Sequence, residues 1–105
     1  MKIRIKTNSL RAKYAARIMK TDSIAIVFGS TICLWNCSRE DFLKNISWVR
    51  HETAHVHQFK KYGFIQFYFL YLIEHFKHGY TKNKYEIDAR QKESDINILS
   101  NVTFV

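Results

Sequence analysis

The stretch from His51 to His55 reads H-E-T-A-H, two histidines and a glutamate in the order H-E-x-x-H. Residues four apart on an α-helix differ by about 40° in direction and about 6 Å in height, so both imidazoles would reach one ion. Glu52 would lie beside the pair, where its carboxylate takes a proton from a metal-activated water without being a ligand. The pattern therefore predicts metal-assisted hydrolysis, with His51 and His55 as metal ligands and Glu52 as general base.

The alternative is a surface helix on which histidine and glutamate match this pattern by chance. Apolar residues recur at helical spacing around the motif and favour a buried helix: Trp48, Val49, Val56 and Phe59. We expect the helix to begin at Asn45 or Ser47, to run to Tyr62 and to end at Gly63. His57 would project from a different face, and we interpret it as an ordinary polar residue.

A zinc hydrolase needs a third protein ligand and one open coordination position. Five acidic residues follow the second histidine: Glu74, Glu86, Asp88, Glu93 and Asp95. Glu86 stands early in a new helix that Asn83 is placed to cap, and the small Ala89 would let this helix approach the histidine helix closely. We favour Glu86 as the third ligand, with Asp88 as the alternative.

The motif of residues 51–55, followed about thirty residues later by Glu86-x-x-Ala89, resembles the gluzincin metallopeptidases, and most closely their smallest, single-domain members (minigluzincin-like proteins). The likeness covers nearly the whole chain. It implies a zinc peptidase in which His51, His55 and Glu86 bind one zinc ion, Glu52 is the general base and acid, and a strand of the N-terminal sheet pairs with an extended peptide. One position departs from the family pattern. Arg90 follows Ala89 where many gluzincins have an acid that orients a zinc ligand, so another group must take that role.

The sequence of the N-terminal half predicts the strands and helices that would support this site. Alternation favours a strand over Lys2–Lys6, and Asn8 or Ser9 can cap a helix through residues 10–20. Three apolar residues at spacing four would form the buried face of this helix: Leu10, Tyr14 and Ile18. Residues 23–28 and 31–35 are β-branched and aromatic on both sides of Gly29-Ser30, which predicts a hairpin. Ser38 would cap a short helix that ends near Lys44.

Downstream of Gly63 we expect a helix from Phe64 to about His78, then the Glu86 helix and a strand-like tail over residues 96–105. The chain has room for a single domain, residues 1–105. The predicted fold class is α+β, a small N-terminal antiparallel sheet packed on a helical layer that carries the H-E-x-x-H helix and the downstream glutamate helix. The tail is a segment that could occupy the cleft.

Two alternatives to a peptidase stay open, one suggested by charge and the other by the small size of the chain. Seventeen Lys and Arg against nine Asp and Glu give a formal charge of +8, which favours acidic partners such as nucleic acid or anionic lipid. A basic nucleic-acid-binding module is one alternative, although no base-reading motif is present. A catalytically weak or inactive zinc-containing binding domain is the other, because small scaffolds often need a metal to stay folded.

The remaining features concern location. The N-terminus lacks the apolar core of a secretory signal, and the longest apolar stretch, Phe64–Ile73, is about half the length that a bilayer-spanning helix requires. We interpret that stretch as a buried helix, with a helix lying in a membrane interface as the alternative. The C-x3-C spacing of Cys33 and Cys37 suits neither a zinc knuckle nor a redox pair, so we expect reduced thiols in a cytoplasmic protein.

Overall fold

The computed structural model describes residues 1–105. Its elements follow the order β1 (Lys2–Lys6), α1 (Leu10–Met19), β2 (Ile24–Phe28), β3 (Thr31–Trp35), α2 (Arg39–Lys44), α3 (Ile46–Tyr62), α4 (Phe64–Lys82), α5 (Lys84–Lys92) and β4 (Thr103–Phe104). The α+β class is confirmed, and so are the predicted N-terminal strand, the hairpin and the order of the helices.

The four strands form one sheet in the order β2-β3-β1-β4. β2 and β3 pair antiparallel across a turn in which Gly29 has φ 63°, a conformation that glycine adopts without strain. β1 runs parallel to both β3 and β4. The sheet is therefore mixed, whereas the sequence predicts an antiparallel one. The reason is that the hairpin places its second strand, β3, beside β1 and leaves β2 at the edge.

The main core lies between this sheet and helices α2 and α3. Seven buried apolar side chains form it: Ile3, Ile5, Ile32, Leu34, Phe42, Val49 and Val56. The alternation of β1, in which only Ile3 and Ile5 are buried, and the helical spacing of Val49 and Val56 supply complementary faces. One face of α3 is thus fixed against the sheet, which leaves its next face for the candidate site.

The orientation predicted for α1 is wrong. Ser9 caps this helix as expected, because its hydroxyl accepts a hydrogen bond from the Ala12 amide. The buried residues of the helix, however, are Ala12 and Ala16. Small side chains allow α1 to lie close to β2 and β3, which it contacts. The larger apolar side chains that the sequence predicts to be buried are exposed instead: Leu10, Tyr14 and Ile18.

The boundaries of α3, α4 and α5 agree with the predicted caps. The Asn45 side chain accepts from the Trp48 amide at the start of α3, and Gly63 ends this helix with φ 84°. α4 is kinked at Gly79, close to its predicted end, and continues for one more turn. Asn83 caps α5 as predicted. α4 is the longest helix, and neither it nor any other has the length and apolar character needed to cross a bilayer.

The C-terminal tail completes the sheet. β4 pairs with β1 at the edge opposite β2, and the Arg39 guanidinium donates hydrogen bonds of 2.9 Å to the carbonyls of Phe104 and Val105. No residue of the tail lines the cleft described below. In this conformation the tail therefore does not block the candidate site.

Candidate metal centre

The site begins with the buried side of α3. His51, Glu52 and His55 are each less than a tenth exposed, and the two imidazole centroids lie 5.1 Å apart. The i, i+4 spacing places both rings on one side of the helix, as the sequence predicts. His57, on another face of the same helix, is half-buried and lies outside this cluster.

Glu86 brings α5 into contact with both histidines. Its Oε1 atom lies 3.0 Å from His51 Nε2 and 3.1 Å from His55 Nε2. The Tyr71 hydroxyl of α4 donates a hydrogen bond to Oε2 of the same carboxylate. One ligand atom from each of His51, His55 and Glu86 lies within 4.8 Å of the others. The structure thus places together the three residues that the sequence proposes as metal ligands.

The second ring nitrogen of His51 contacts Glu93, the residue that follows α5 as its C-cap. Nδ1 lies 2.7 Å from Glu93 Oε2. An ionised carboxylate only accepts hydrogen bonds, so Nδ1 must carry the proton. No role was predicted for Glu93, although its position seven residues after Glu86 is a helical spacing that places both acids on one face.

The second ring nitrogen of His55 is held by an amide. Nδ1 lies 2.8 Å from Gln58 Oε1, while Gln58 Nε2 donates to the Tyr85 carbonyl and to Asp88 Oδ2, each at 3.0 Å. Both partners of the amide nitrogen are acceptors, which fixes the orientation of Gln58 and again makes Nδ1 the donor. Asp88, the alternative third ligand, therefore lies outside the cluster and orients Gln58.

Glu93 and Gln58 make the ring-orienting contacts that the gluzincin pattern assigns to an acid after Ala89. Arg90 cannot accept a hydrogen bond from a histidine, and its guanidinium donates to the Thr81 carbonyl instead. Glu93 and the Gln58–Asp88 pair orient the two rings in its place. Their roles match the hydrogen-bond partners that metal-binding histidines usually have.

The contacts of Nε2 with Glu86 require a positive charge at the centre of the cluster. Because Nδ1 is the donor to another partner in both rings, each Nε2 can contact the Glu86 oxygen only if the ring is doubly protonated or if a metal ion lies between them. Three lone pairs in contact repel unless a proton or a metal ion lies among them. Two imidazole nitrogens and a carboxylate oxygen form a donor set that zinc accepts. Ligand distances of about 2.0–2.1 Å would separate donors around a tetrahedral ion by roughly 3.3 Å, close to the 3.0 and 3.1 Å observed. The residues present fit the ion.

The pKa shifts of His55 and Glu86 also indicate that the cluster favours a positive charge at its centre. Burial lowers the pKa of His55, but hydrogen bonding to Glu86 and the charges of Glu52 and Glu86 outweigh it and raise the pKa to about 9. Burial raises the pKa of Glu86, yet the hydrogen bonds from His51 and His55 hold it well below its usual range. The cluster therefore stabilises positive charge at its centre and keeps its carboxylate ionised.

Glu52 is a buried carboxyl group on the same turn of α3 as the histidines. Burial raises its pKa to about 7, although His55 and His51 oppose the shift. Its side chain lines the same cleft as the two histidines and Glu86. A carboxyl group with a pKa near 7 can both accept and return a proton at that pH.

The site opens into a cleft of about 700 Å³. All five residues of β2, Ile24–Phe28, line it, together with residues of α1, α3 and α4. Tyr80, from the turn after the kink in α4, also reaches the cleft, and burial raises the pKa of its hydroxyl to about 12. It is therefore a neutral hydrogen-bond donor there. Neither Cys33 nor Cys37 lines the cleft, and both thiols are free.

Comparisons of the chain with protein-family models, with curated proteins and with solved structures find no match. The gluzincin resemblance thus stays a prediction from residues 51–55 and 86–89.

Proposed function

We propose that this protein is a zinc-dependent metallopeptidase. The observation that supports it best is the contact of one Glu86 oxygen with Nε2 of both His51 and His55, at 3.0 and 3.1 Å. The two Nδ1 atoms already donate to other partners, so when both rings are neutral their Nε2 electron pairs and the Glu86 oxygen are directed at one point. A metal ion at that point would bind all three atoms, whereas without one each Nε2 must carry a second ring proton to donate to Glu86.

In this proposal His51, His55 and Glu86 hold the ion, and Glu93 and Gln58 keep the imidazole rings in the required tautomer. When bound, zinc would polarise the peptide carbonyl and lower the pKa of a coordinated water. Glu52 would take the proton of the attacking water and return it to the leaving amine. Its buried side chain lines the same cleft as the three proposed ligands.

The position of β2 favours an extended peptide as substrate. This strand pairs with β3 on one side only, and every one of its residues lines the cleft. An edge strand offers backbone amides and carbonyls to which a peptide can add as a further strand. We place the activity in the cytoplasm, because free thiols such as Cys33 and Cys37 are typical of a reducing compartment.

Substitution Glu52→Gln tests the mechanism. The introduced amide would be nearly isosteric with the carboxylate but could not accept a proton, and none of the three ligands changes. We expect zinc content and thermal stability close to those of the parent, and a loss of about 10²–10⁴-fold in hydrolysis of a fluorogenic peptide library. Glu40→Gln, which neutralises an exposed acid in α2, is the matched control and should hydrolyse the library as the parent does.

Two results would decide against the proposal. If Glu52→Gln hydrolyses the library as fast as the parent, Glu52 is not the base. If the zinc-loaded parent and the zinc-loaded Glu52→Gln variant are both inactive on peptides and on unfolded protein, the chain is instead a zinc-containing binding domain.

A further inference from the structure

The outward face of α4 is apolar. Large side chains recur along it at spacings of three and four residues and are all more than two-fifths exposed: Phe64, Ile65, Tyr68, Phe69, Ile73 and Phe76. Ile65 and Phe76 are 71% and 84% exposed. The opposite side of the helix carries the buried Phe67 and the Tyr71 that contacts Glu86. The prediction of a buried helix over this stretch is therefore wrong for all but one face.

Helix α1 has a second exposed apolar face. Leu10, Tyr14 and Ile18 follow one another at spacing four and are 77%, 69% and 63% exposed. Ile18 of α1 and Tyr68 of α4 both also line the cleft. The two apolar faces therefore border the same opening, and we name them together the rim surface: the exposed apolar residues of α1 and α4.

The helices that carry the rim surface, with the residues that flank them, are almost entirely positive in charge. Segments 10–20 and 60–84 contain nine of the 17 Lys and Arg of the chain but only one of the nine Asp and Glu. That single acid, Glu74, is turned inward, with its side chain 15% exposed and Oε1 3.4 Å from the Lys84 amide. The apolar residues of the rim surface thus belong to segments rich in Lys and Arg, none of which forms an ion pair with a carboxylate.

We propose that the rim surface docks on an anionic lipid bilayer, with α1 and α4 lying in the interface. Aromatic and aliphatic side chains on one face, bordered by Lys and Arg, are the composition that suits the headgroup region. Anionic lipid attracts the cationic border, whereas a second copy of the chain would bring two positively charged surfaces together. Docking would turn the cleft opening towards the membrane. The proposal is independent of hydrolysis, and binding alone tests it.

Vesicle sedimentation of the full chain tests the docking. We expect binding to vesicles of phosphatidylcholine and phosphatidylglycerol that weakens as salt is raised, and much weaker binding to phosphatidylcholine alone. Phe69→Ser and Phe76→Ser should each lower the partition coefficient about tenfold. Lys77→Glu and Lys82→Glu should each lower it at least about fivefold at low salt.

Ile96→Ser is the matched control, because Ile96 is 76% exposed but lies outside both helices. It should bind vesicles as the parent does. Circular dichroism and zinc content of every variant separate lost docking from lost folding. Three results would overturn the proposal: no binding to the anionic vesicles, equal binding to both kinds of vesicle at all salt concentrations, or a dimer in sedimentation velocity that Phe69→Ser and Phe76→Ser dissociate.

Discussion

The two histidines of the cluster differ in the group that holds Nδ1. His51 contacts the carboxylate of Glu93, whose side chain is 38% exposed, whereas His55 contacts the buried amide of Gln58. A carboxylate partner raises the basicity of the imidazole more than an amide does, because it carries a charge. We therefore expect the two ligands to contribute unequally, with His51 depending on an acid that the sequence did not single out.

Removal of the Glu93 side chain measures this dependence. Glu93→Ala should lower zinc affinity about 10–100-fold, because the His51 ring loses the acceptor that fixes its tautomer. Glu93→Gln should recover part of the loss, since an amide oxygen still accepts from Nδ1. Competition with a chromophoric chelator gives both affinities, and Glu40→Ala is the control for loss of an exposed acid. Equal affinity of Glu93→Ala and the parent would contradict a positioning role.

At the scale of elements, the approach of α5 to α3 decides whether Glu86 reaches the histidines. Ala54 of α3 and Ala89 of α5 are buried in one cluster with Ile98, so small side chains lie where the two helices meet. Asn83 fixes the start of α5, because its Oδ1 accepts from the Tyr85 amide while its Nδ2 donates to the Tyr71 carbonyl of α4. The cap thus ties α5 to the helix that supplies the Tyr71 hydroxyl.

Substitution Ala89→Leu tests the importance of this close packing. Ala89 is fully buried, so the larger side chain should push α5 away from α3, lower the free energy of unfolding by about 1–3 kcal/mol and weaken zinc binding. Denaturant unfolding and zinc titration measure the two effects. Gln91→Leu places the same side chain at an exposed position of α5 and should leave zinc binding unchanged. Parent-like zinc affinity in Ala89→Leu would show that the separation of α3 and α5 does not control the site.

Local signals in the sequence were sufficient for the elements and for part of the site. Side-chain caps such as Ser9, Asn45 and Asn83 act on neighbouring residues, and the spacing of His51 and His55 is a property of one helix. Apart from the meeting of Glu86 with the two histidines, contacts between distant residues could not be predicted in this way. The parallel pairing of β1 with β3 depends on which strand of the hairpin lies inside the sheet.

The same limit explains the two wrong orientations. Apolar residues at spacing four indicate an apolar face in α1 and in α4, but they do not show whether that face packs against the core. Each helix has a second face that can pack there instead. In α1 the small Ala12 and Ala16 pack inward, and in α4 Phe67 does. Among the Nδ1 partners, Glu93 is one of five acids that follow His55, and only its position at the C-terminal end of the folded α5 distinguishes it.

At the scale of the whole molecule, the sheet and the helices form a large cleft between β2 and α4, with the polar cluster of α3 and α5 at its wall. β4 and the C-terminal tail lie at the opposite edge of the sheet. The free edge of β2, the candidate zinc ligands and the exposed apolar faces of α1 and α4 thus all border one opening. This shared border connects the proposed hydrolysis with the proposed membrane docking.

Elemental analysis of the purified protein tests the metal centre most directly. We expect one zinc ion per chain in the parent and in His57→Ala, which removes a histidine of the same helix that lies outside the cluster. His55→Ala and Glu86→Ala should each lose the metal, because two donors alone bind it weakly. A parent that stays free of zinc after dialysis against the ion, or a Glu86→Ala variant that keeps it, would contradict the account.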